Sequence, residues 1–231
     1  MQILVSDYDG TLNPFYFKPL FNKNIDGIKE FKANGNLFVI STARKPKHIL
    51  NEIHNYSIPY DYLICSNGNI ILDNNGYAVY INGLTESEIF LYLDIIEFLY
   101  GIKNIGYYDF EGNLTFDTPY SVRVDTNKFI KSSSLKDLEF GMKISIFLKK
   151  ISFFHQSNKR AGLLALLKKL KLSVKNLNIY SIGNSINDIE MLKEFNGYKV
   201  PCSNPYLLFY RRIPMVDSVY TLTKKLQHYN K

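Results

Sequence analysis

The sequence predicts an α/β protein: a doubly wound parallel sheet carrying a small inserted α+β domain. Three observations lead there. Short, continuous apolar runs alternate with helical periodicities at both ends of the chain: residues 3–6, LFVIS at 37–41, DYLIC at 61–65 and LNIYSIG at 177–183. Such runs suit strands buried on both faces of a parallel sheet. The alternation stops between residues 83 and 153, where β-like runs crowd together. Each strand of the alternating part also runs into a polar or glycine-rich loop, and open α/β sheets place their ligands beyond such strand ends.

The elements follow in order. Ile3 to Ser6 is a short strand ending in acids. Residues 22–34 place Ile25, Ile28 and Phe31 at helical spacing, and Gly35 ends that helix. After the strand 37–41, a helix beyond Pro46 turns Ile49, Leu50 and Ile53 to one face. The third strand ends in the turn Ser66-Asn67-Gly68, and residues 70–81 read as a hairpin around Asn74-Asn75-Gly76. A helix over 85–100 (Ile89, Leu93, Ile96, and Leu99 or Tyr100 inward) opens the insertion. The runs IGYYDF, NLTF and SVRVDT follow, then a short serine-capped helix in SSSLKDLEFG and the strand-like KISIFLKKISFF. Alternation resumes with a helix at 159–171, the strand 177–183, a helix from Ile186 to Phe195, a short strand at 198–200 and a helix at 218–228. The expected division is a core of residues 1–82 and 154–231 around an insertion of 83–153.

Composition narrows the function classes. Of 231 residues, 46% are hydrophobic and 21% charged, which suits an ordinary buried core. The net charge of +7 comes from scattered Lys and Arg, as on a generally basic surface, and it also suits a phosphate-bearing ligand. No basic and aromatic patch points to nucleic acid, and no apolar run approaches membrane-spanning length. The two cysteines, Cys65 and Cys202, form no metal-like pair, and the N-terminal MQILVSDYDG is too acidic for a signal peptide, so a reducing, cytoplasmic setting is expected. The four histidines (His48, His54, His155, His228) lack ligand spacing.

The strand ends carry the chemistry. Asp7 and Asp9, separated by one residue, both reach a point just off the first strand, and Gly10 permits a sharp turn that frees amides to face an anion. An Asp carboxylate can attack phosphorus, and a second acid can protonate the leaving oxygen and then activate water. The blander reading is a common Asp-Gly turn. After strand two, Ser41-Thr42-Ala43-Arg44 offers a hydroxyl and a cation to a phosphate, or merely caps a helix. Asn67 and Gly68 form a turn that either touches substrate or only reverses the chain. Lys159, opening its helix, can neutralise a phosphoryl transition state or be one more solvated lysine. GNSIND (183–188) closes the series with Asn184, Asn187 and Asp188.

In this order, DYDGTL (7–12), VISTAR (39–44), SNGNIILDNNG (66–76), the Lys159 helix and GNSINDIEML (183–192) resemble the haloacid dehalogenase-like phosphatases, in particular their Cof-type branch. The resemblance covers both core segments and fades over the insertion. It implies a Rossmann-like core with a cap, and a Mg2+-dependent phosphomonoesterase acting on a small phosphorylated metabolite, a sugar phosphate by class, through an aspartyl-phosphate. By the same resemblance Asp7 is the nucleophile, Asp9 the general acid and base, Thr42 the phosphate-binding hydroxyl, and Lys159 the charge-balancing cation. Asp7, the Asp9 carbonyl, Asn184 and Asp188 form the magnesium environment. Asn187, with Gly10, Ala43, Arg44, Asn67 and Gly68, stands on the phosphate side. Tyr107, Tyr108 and Arg123 are candidate cap contacts, or simply surface residues.

Position 184 departs from the family pattern, which has an acid there. Asn keeps an oxygen at the same reach and loses the charge. Two other functions therefore stay open: phosphoryl transfer to an acceptor on the same core, or phosphate-ligand binding without turnover.

Overall fold

The computed structural model describes residues 1–231 except 16, 116–118, 129, 131–141, 174–177 and 229–231. Along the chain lie β1 (Gln2–Asp7), α1 (Lys18–Ala33), β2 (Leu37–Ser41), α2 (Pro46–Tyr56), β3 (Tyr62–Cys65), β4 (Ile70–Asp73) and β5 (Ala78–Ile81). Then come α3 (Glu86–Tyr100), β6 (Ile102–Tyr108), β7 (Ser121–Thr126), β8 (Met142–Phe147) and β9 (Lys150–His155). The chain closes with α4 (Lys159–Lys169), β10 (Asn178–Gly183), α5 (Ile189–Glu194), β11 (Gly197–Lys199), α6 (Pro205–Leu208) and α7 (Val219–His228). Two compact units result: residues 1–80 with 158–231, and residues 81–157.

The first unit holds a sheet of order β11-β10-β1-β2-β3-β4-β5. The five strands from β11 to β3 run parallel, and β4 turns back against β3. The winding leaves β1 in both directions, toward β2 on one side and β10 on the other. The loops after β1 and β10 therefore flank the switch point, where such sheets bind ligands.

Strand alternation decides what reaches that crevice. Ile3 and Val5 of β1, with Val39, Ile64 and Ile71, pack against Leu163, Leu166 and Leu167 of α4 and Met191 of α5. Asp7 lies two residues beyond Val5, so it continues the same face and meets the N-terminus of α4. On the first unit's surface α1 packs against α7.

The second unit is an antiparallel sheet of order β6-β7-β9-β8 with α3 against it. Ile89, Tyr92, Leu93 and Ile96 of α3 bury against Val122, Val124, Ile151 and Phe153, with the Tyr92 and Phe153 rings stacked 5.2 Å apart. A Thr85–Glu88 capping box starts α3, and Glu88 Oε1 also meets His155 Nε2 at 2.8 Å. Arg123 lies over the Tyr108 ring at 4.1 Å. No described helix is long and apolar enough to cross a membrane.

Several elements differ from the sequence expectation for local reasons. Helix α1 starts at Lys18, because Pro19 is well suited to a first turn. The run 143–154 is two strands, since Leu148 takes a left-handed φ of 56° and the chain reverses there. The helix expected from Ile186 begins as a 3-10 turn over Ile186–Asp188, because Asp188 folds back onto the Asn184 and Ser185 amides. Tyr100 is buried and Leu99 exposed, and Leu50 is only half-buried. Of NLTF, Leu114 makes a single bridge to Tyr108. Helix α6, capped by Asn204, has no counterpart in the expected elements. The serine-capped helix expected within 132–141 lies outside the described residues.

Candidate active site

Three charged side chains meet at the ends of β1 and β10. Lys159 Nζ donates to Asp7 Oδ1 at 2.5 Å and to Asp188 Oδ1 at 2.6 Å. All three residues are buried, at 2%, 5% and 0% exposure respectively. Buried charges persist only when paired and hydrogen-bonded, and here the remaining oxygens are filled. Thr11 Oγ1 donates to Asp7 Oδ2 at 3.0 Å. Asp188 Oδ2 accepts from the Asn184 amide (3.0 Å), the Ser185 amide (2.8 Å) and Ser185 Oγ (2.8 Å).

Lys159 reaches this point because α4 starts close to the third strand's loop. Asn158 caps α4 by accepting from the Ala161 amide at 2.8 Å. A Cβ on Gly68 would lie 2.2 Å from the Asn158 carbonyl oxygen, and one on Gly162 would lie 2.5 Å from the Gly68 Cα. Only glycines at both places let the backbones touch. The loop itself is held in an unusual shape, with φ of 50° at Ser66, 54° at Asn67 and 97° at Gly68. Left-handed non-glycine residues are sparse and costly, and they concentrate at functional loops.

Asp9 is engaged differently. Arg44 grips it with two parallel bonds, Nε to Oδ2 at 2.8 Å and Nη2 to Oδ1 at 2.6 Å. The Arg44 guanidinium, a candidate for phosphate, is committed to Asp9 in this structure. Thr42 is buried, and its hydroxyl accepts from the Arg44 amide at 3.1 Å, which leaves its own proton to donate. Neither Ser41 nor Thr42 caps α2, whose N-cap is Lys45.

The remaining candidates divide. Gly10 has a φ of 78°, and the Asn184 amide lies directly over it, where a Cβ would be 2.1 Å from Nδ2. The amides of residues 10–13 do not face outward as an anion nest: Gly10 donates to Asn13, Thr11 and Asn13 to Tyr8, and Leu12 to Asp7. Internal turn bonds took them. Asn67 Oδ1 is buried and has no hydrogen-bond partner. Ala43 is exposed, and Asn187 is exposed on its turn with no bond to Asp7, Lys159 or Asp188 among the described residues.

Burial, opposed by Lys159 and reinforced by Asp188, pushes the Asp7 carboxyl up from 3.8 to about 6. Burial works against the Lys159 charge, yet Asp7 and Asp188 outweigh it and hold the ammonium above its ordinary value. One cation serves two carboxylates, so the cluster keeps one surplus negative charge when all three are ionised.

That surplus and the donor types fit a hard divalent cation, which takes oxygen ligands. Asp7 and Asp9 stand at the start of the loop after β1, and the Asn184 side chain lies against Gly10 of the same loop. Asp188 is the more fully engaged carboxylate: it accepts from Lys159, the Asn184 and Ser185 amides and Ser185 Oγ, whereas the Asp7 carboxylate accepts from Lys159 and Thr11. Among the described residues no three His, Cys, Asp or Glu side chains cluster as metal ligands, so the set is poor in charge.

The sequence reading missed Thr11, Ser185, Gly162 and the pair Tyr8–Glu52 behind Arg44. Thr11 stood inside a motif already singled out. Tyr8 and Glu52 carry no spacing signal, being 44 residues apart.

A family model for haloacid dehalogenase-like hydrolases matches residues 4–154 and 151–204. An uncharacterized protein of Mycoplasma capricolum subsp. capricolum is 25% identical over 257 aligned positions, covering 88% of this chain and 91% of that protein. Among solved structures, a phosphatase of the haloalkanoate enzyme superfamily from Bacteroides thetaiotaomicron superposes with a TM-score of 0.66 at 19% identity, over 100% of this chain and 95% of that one. A haloacid dehalogenase-like hydrolase from B. subtilis gives 0.62 at 16% identity, over 99% of each chain. A subclass IIB sugar phosphatase gives 0.59 at 15% identity, over 100% and 99%. At these identities the structural likeness establishes the fold.

Proposed function

The chain belongs to the haloacid dehalogenase-like hydrolases, and on that premise we propose that it is a phosphomonoesterase for small phosphorylated metabolites, sugar phosphates foremost. The observation that carries this reading is the buried Lys159 bound to the Asp7 carboxylate at the end of β1. A lysine so placed can hold the charge that spreads over phosphoryl oxygens as Asp7 attacks. The relative solved as a sugar phosphatase supports the substrate class.

An Asp7 oxygen forms a bond to phosphorus while the ester P–O bond breaks. The departing alkoxide takes a proton from Asp9. Water then attacks the phosphoryl-Asp7, giving its proton to Asp9, and phosphate leaves with Asp7 restored. Thr42 donates to a phosphoryl oxygen. Asp188 keeps Lys159 in place and closes the 184–188 turn. Magnesium, held by Asp7, the Asp9 carbonyl and Asn184, would supply further charge neutralisation at the phosphoryl group. The unit of residues 81–157, a few residues longer at each end than the expected 83–153, acts as the cap that selects substrate.

Asn184 favours one second reading, a phosphate-ligand binder without turnover. Phosphate release from an aryl phosphate and a sugar-phosphate panel, titrated with magnesium, separates the two. Magnesium-dependent release that Asp7→Asn abolishes is the expected result. Binding without release at any magnesium concentration overturns the phosphatase in favour of the binder. Phosphate appearing on an added sugar instead of in solution would reassign the chain to phosphoryl transfer.

A further inference from the structure

Behind Arg44 stands a second pair of side chains that the proposed reaction does not use. Arg44 Nη1 faces Glu52 Oε1 at 3.6 Å. Glu52 Oε2 accepts from the Tyr8 hydroxyl at 2.9 Å, and the Asn13 amide also reaches that hydroxyl at 3.5 Å. The guanidinium lies over the Tyr8 ring, 5.0 Å from its centroid. Tyr8 is fully buried and directly precedes Asp9. Glu52 sits on α2 between the buried Ile49 and Ile53, so the helix is anchored on either side of it.

The four groups therefore close a ring: Asp9 to Arg44, Arg44 to Glu52, Glu52 to Tyr8, and Tyr8 back to Asp9 through the chain. A planar guanidinium held on two edges and one face has little freedom left. We infer that Glu52, seated by Tyr8, is a positioning residue for Asp9: it fixes Arg44 from behind, and Arg44 aims the carboxylate that handles the leaving group's proton. The inference rests on the phosphatase reading. Its basis is geometric, because partly exposed ion pairs contribute little to stability, whereas proton transfer demands hydrogen-bond reach and alignment.

The leaving group tests it. A 4-nitrophenolate departs without a proton, whereas a sugar alkoxide needs one. The ratio kcat/KM reports steps through leaving-group departure, before water attacks. Glu52→Gln is expected to lower kcat/KM on a sugar phosphate about tenfold or more through kcat, with KM held, while kcat/KM on 4-nitrophenyl phosphate stays within about twofold of the unmodified protein. Tyr8→Phe keeps the ring under Arg44 and removes only the hydroxyl, so it gives a smaller loss with the same selectivity. Equal losses on both substrates, or a change confined to KM, overturn the positioning role while leaving the phosphatase intact. No release by the unmodified protein from either substrate overturns the phosphatase reading, and this inference with it.

Discussion

Gly68 and Gly162 touch through their backbones: a Cβ on Gly162 would come within 2.5 Å of the Gly68 Cα, and one on Gly68 within 2.9 Å of the Gly162 nitrogen. This contact sets the start of α4 against the β3 loop and so delivers Lys159 to Asp7. It makes Gly162 a sharp probe. In a helix interior, alanine is ordinarily about 1 kcal/mol better than glycine. Here Gly162→Ala is expected to destabilise by about 1–3 kcal/mol, the usual cost of overpacking, and to lower kcat as Lys159 shifts. Urea unfolding and phosphate release check both; a more stable, fully active variant would refute the contact's role.

Asp7 is expected to cost the fold what it contributes to chemistry. Its carboxyl titrates near 6 when folded against an ordinary 3.8. Between those values the native state keeps a proton that the unfolded chain has released. Stability therefore falls as pH rises from about 4 to about 6 and stays lower above. The difference amounts to about 3 kcal/mol at most. Asp7→Asn should abolish phosphate release and raise Tm at pH 7–8, with the gain vanishing below about pH 4. Thermal unfolding across pH reads this directly.

Lys159 holds two buried carboxylates. Lys159→Met leaves both unpaired, and the expected loss is about 3–5 kcal/mol, as for other broken buried pairs. Adding Asp188→Asn should return part of that stability without returning activity. Additive effects of the two substitutions in chemical denaturation would contradict the ion cluster.

The Asn184 side chain lies over Gly10 with Nδ2 nearest, and its amide group brings no charge to the loop. Asn184→Asp keeps the side chain's size, and is expected to tighten magnesium binding about tenfold or more, given that weaker, indirect perturbations of metal sites already cost that much. Calorimetric magnesium titration measures it independently of turnover. Unchanged affinity would remove residue 184 from the metal environment.

Much of the molecule follows from local pattern. The runs at 3–6, 37–41 and 178–183 became β1, β2 and β10, since short continuous apolar stretches suit strands buried on both faces of a sheet. The loops after β1, β2 and β10 and the start of the Lys159 helix were legible because strand ends and helix starts mark themselves with Gly, Asn and Asp, whereas the roles of Asp7, Asp9, Thr42 and Lys159 came only with the resemblance to a family. What local pattern left open were relations between distant segments. It offered Arg44 to a phosphate, and the fold gave its guanidinium to Asp9 and Glu52. It offered outward amides at residues 10–13, and the turn consumed them. Neither Glu52 nor Gly162 carries a signal that periodicity or spacing can read. Periodicity and spacing record what a residue needs from its neighbours in the chain; which carboxylate a buried lysine meets, and which two backbones must touch, is settled only by packing across the sheet.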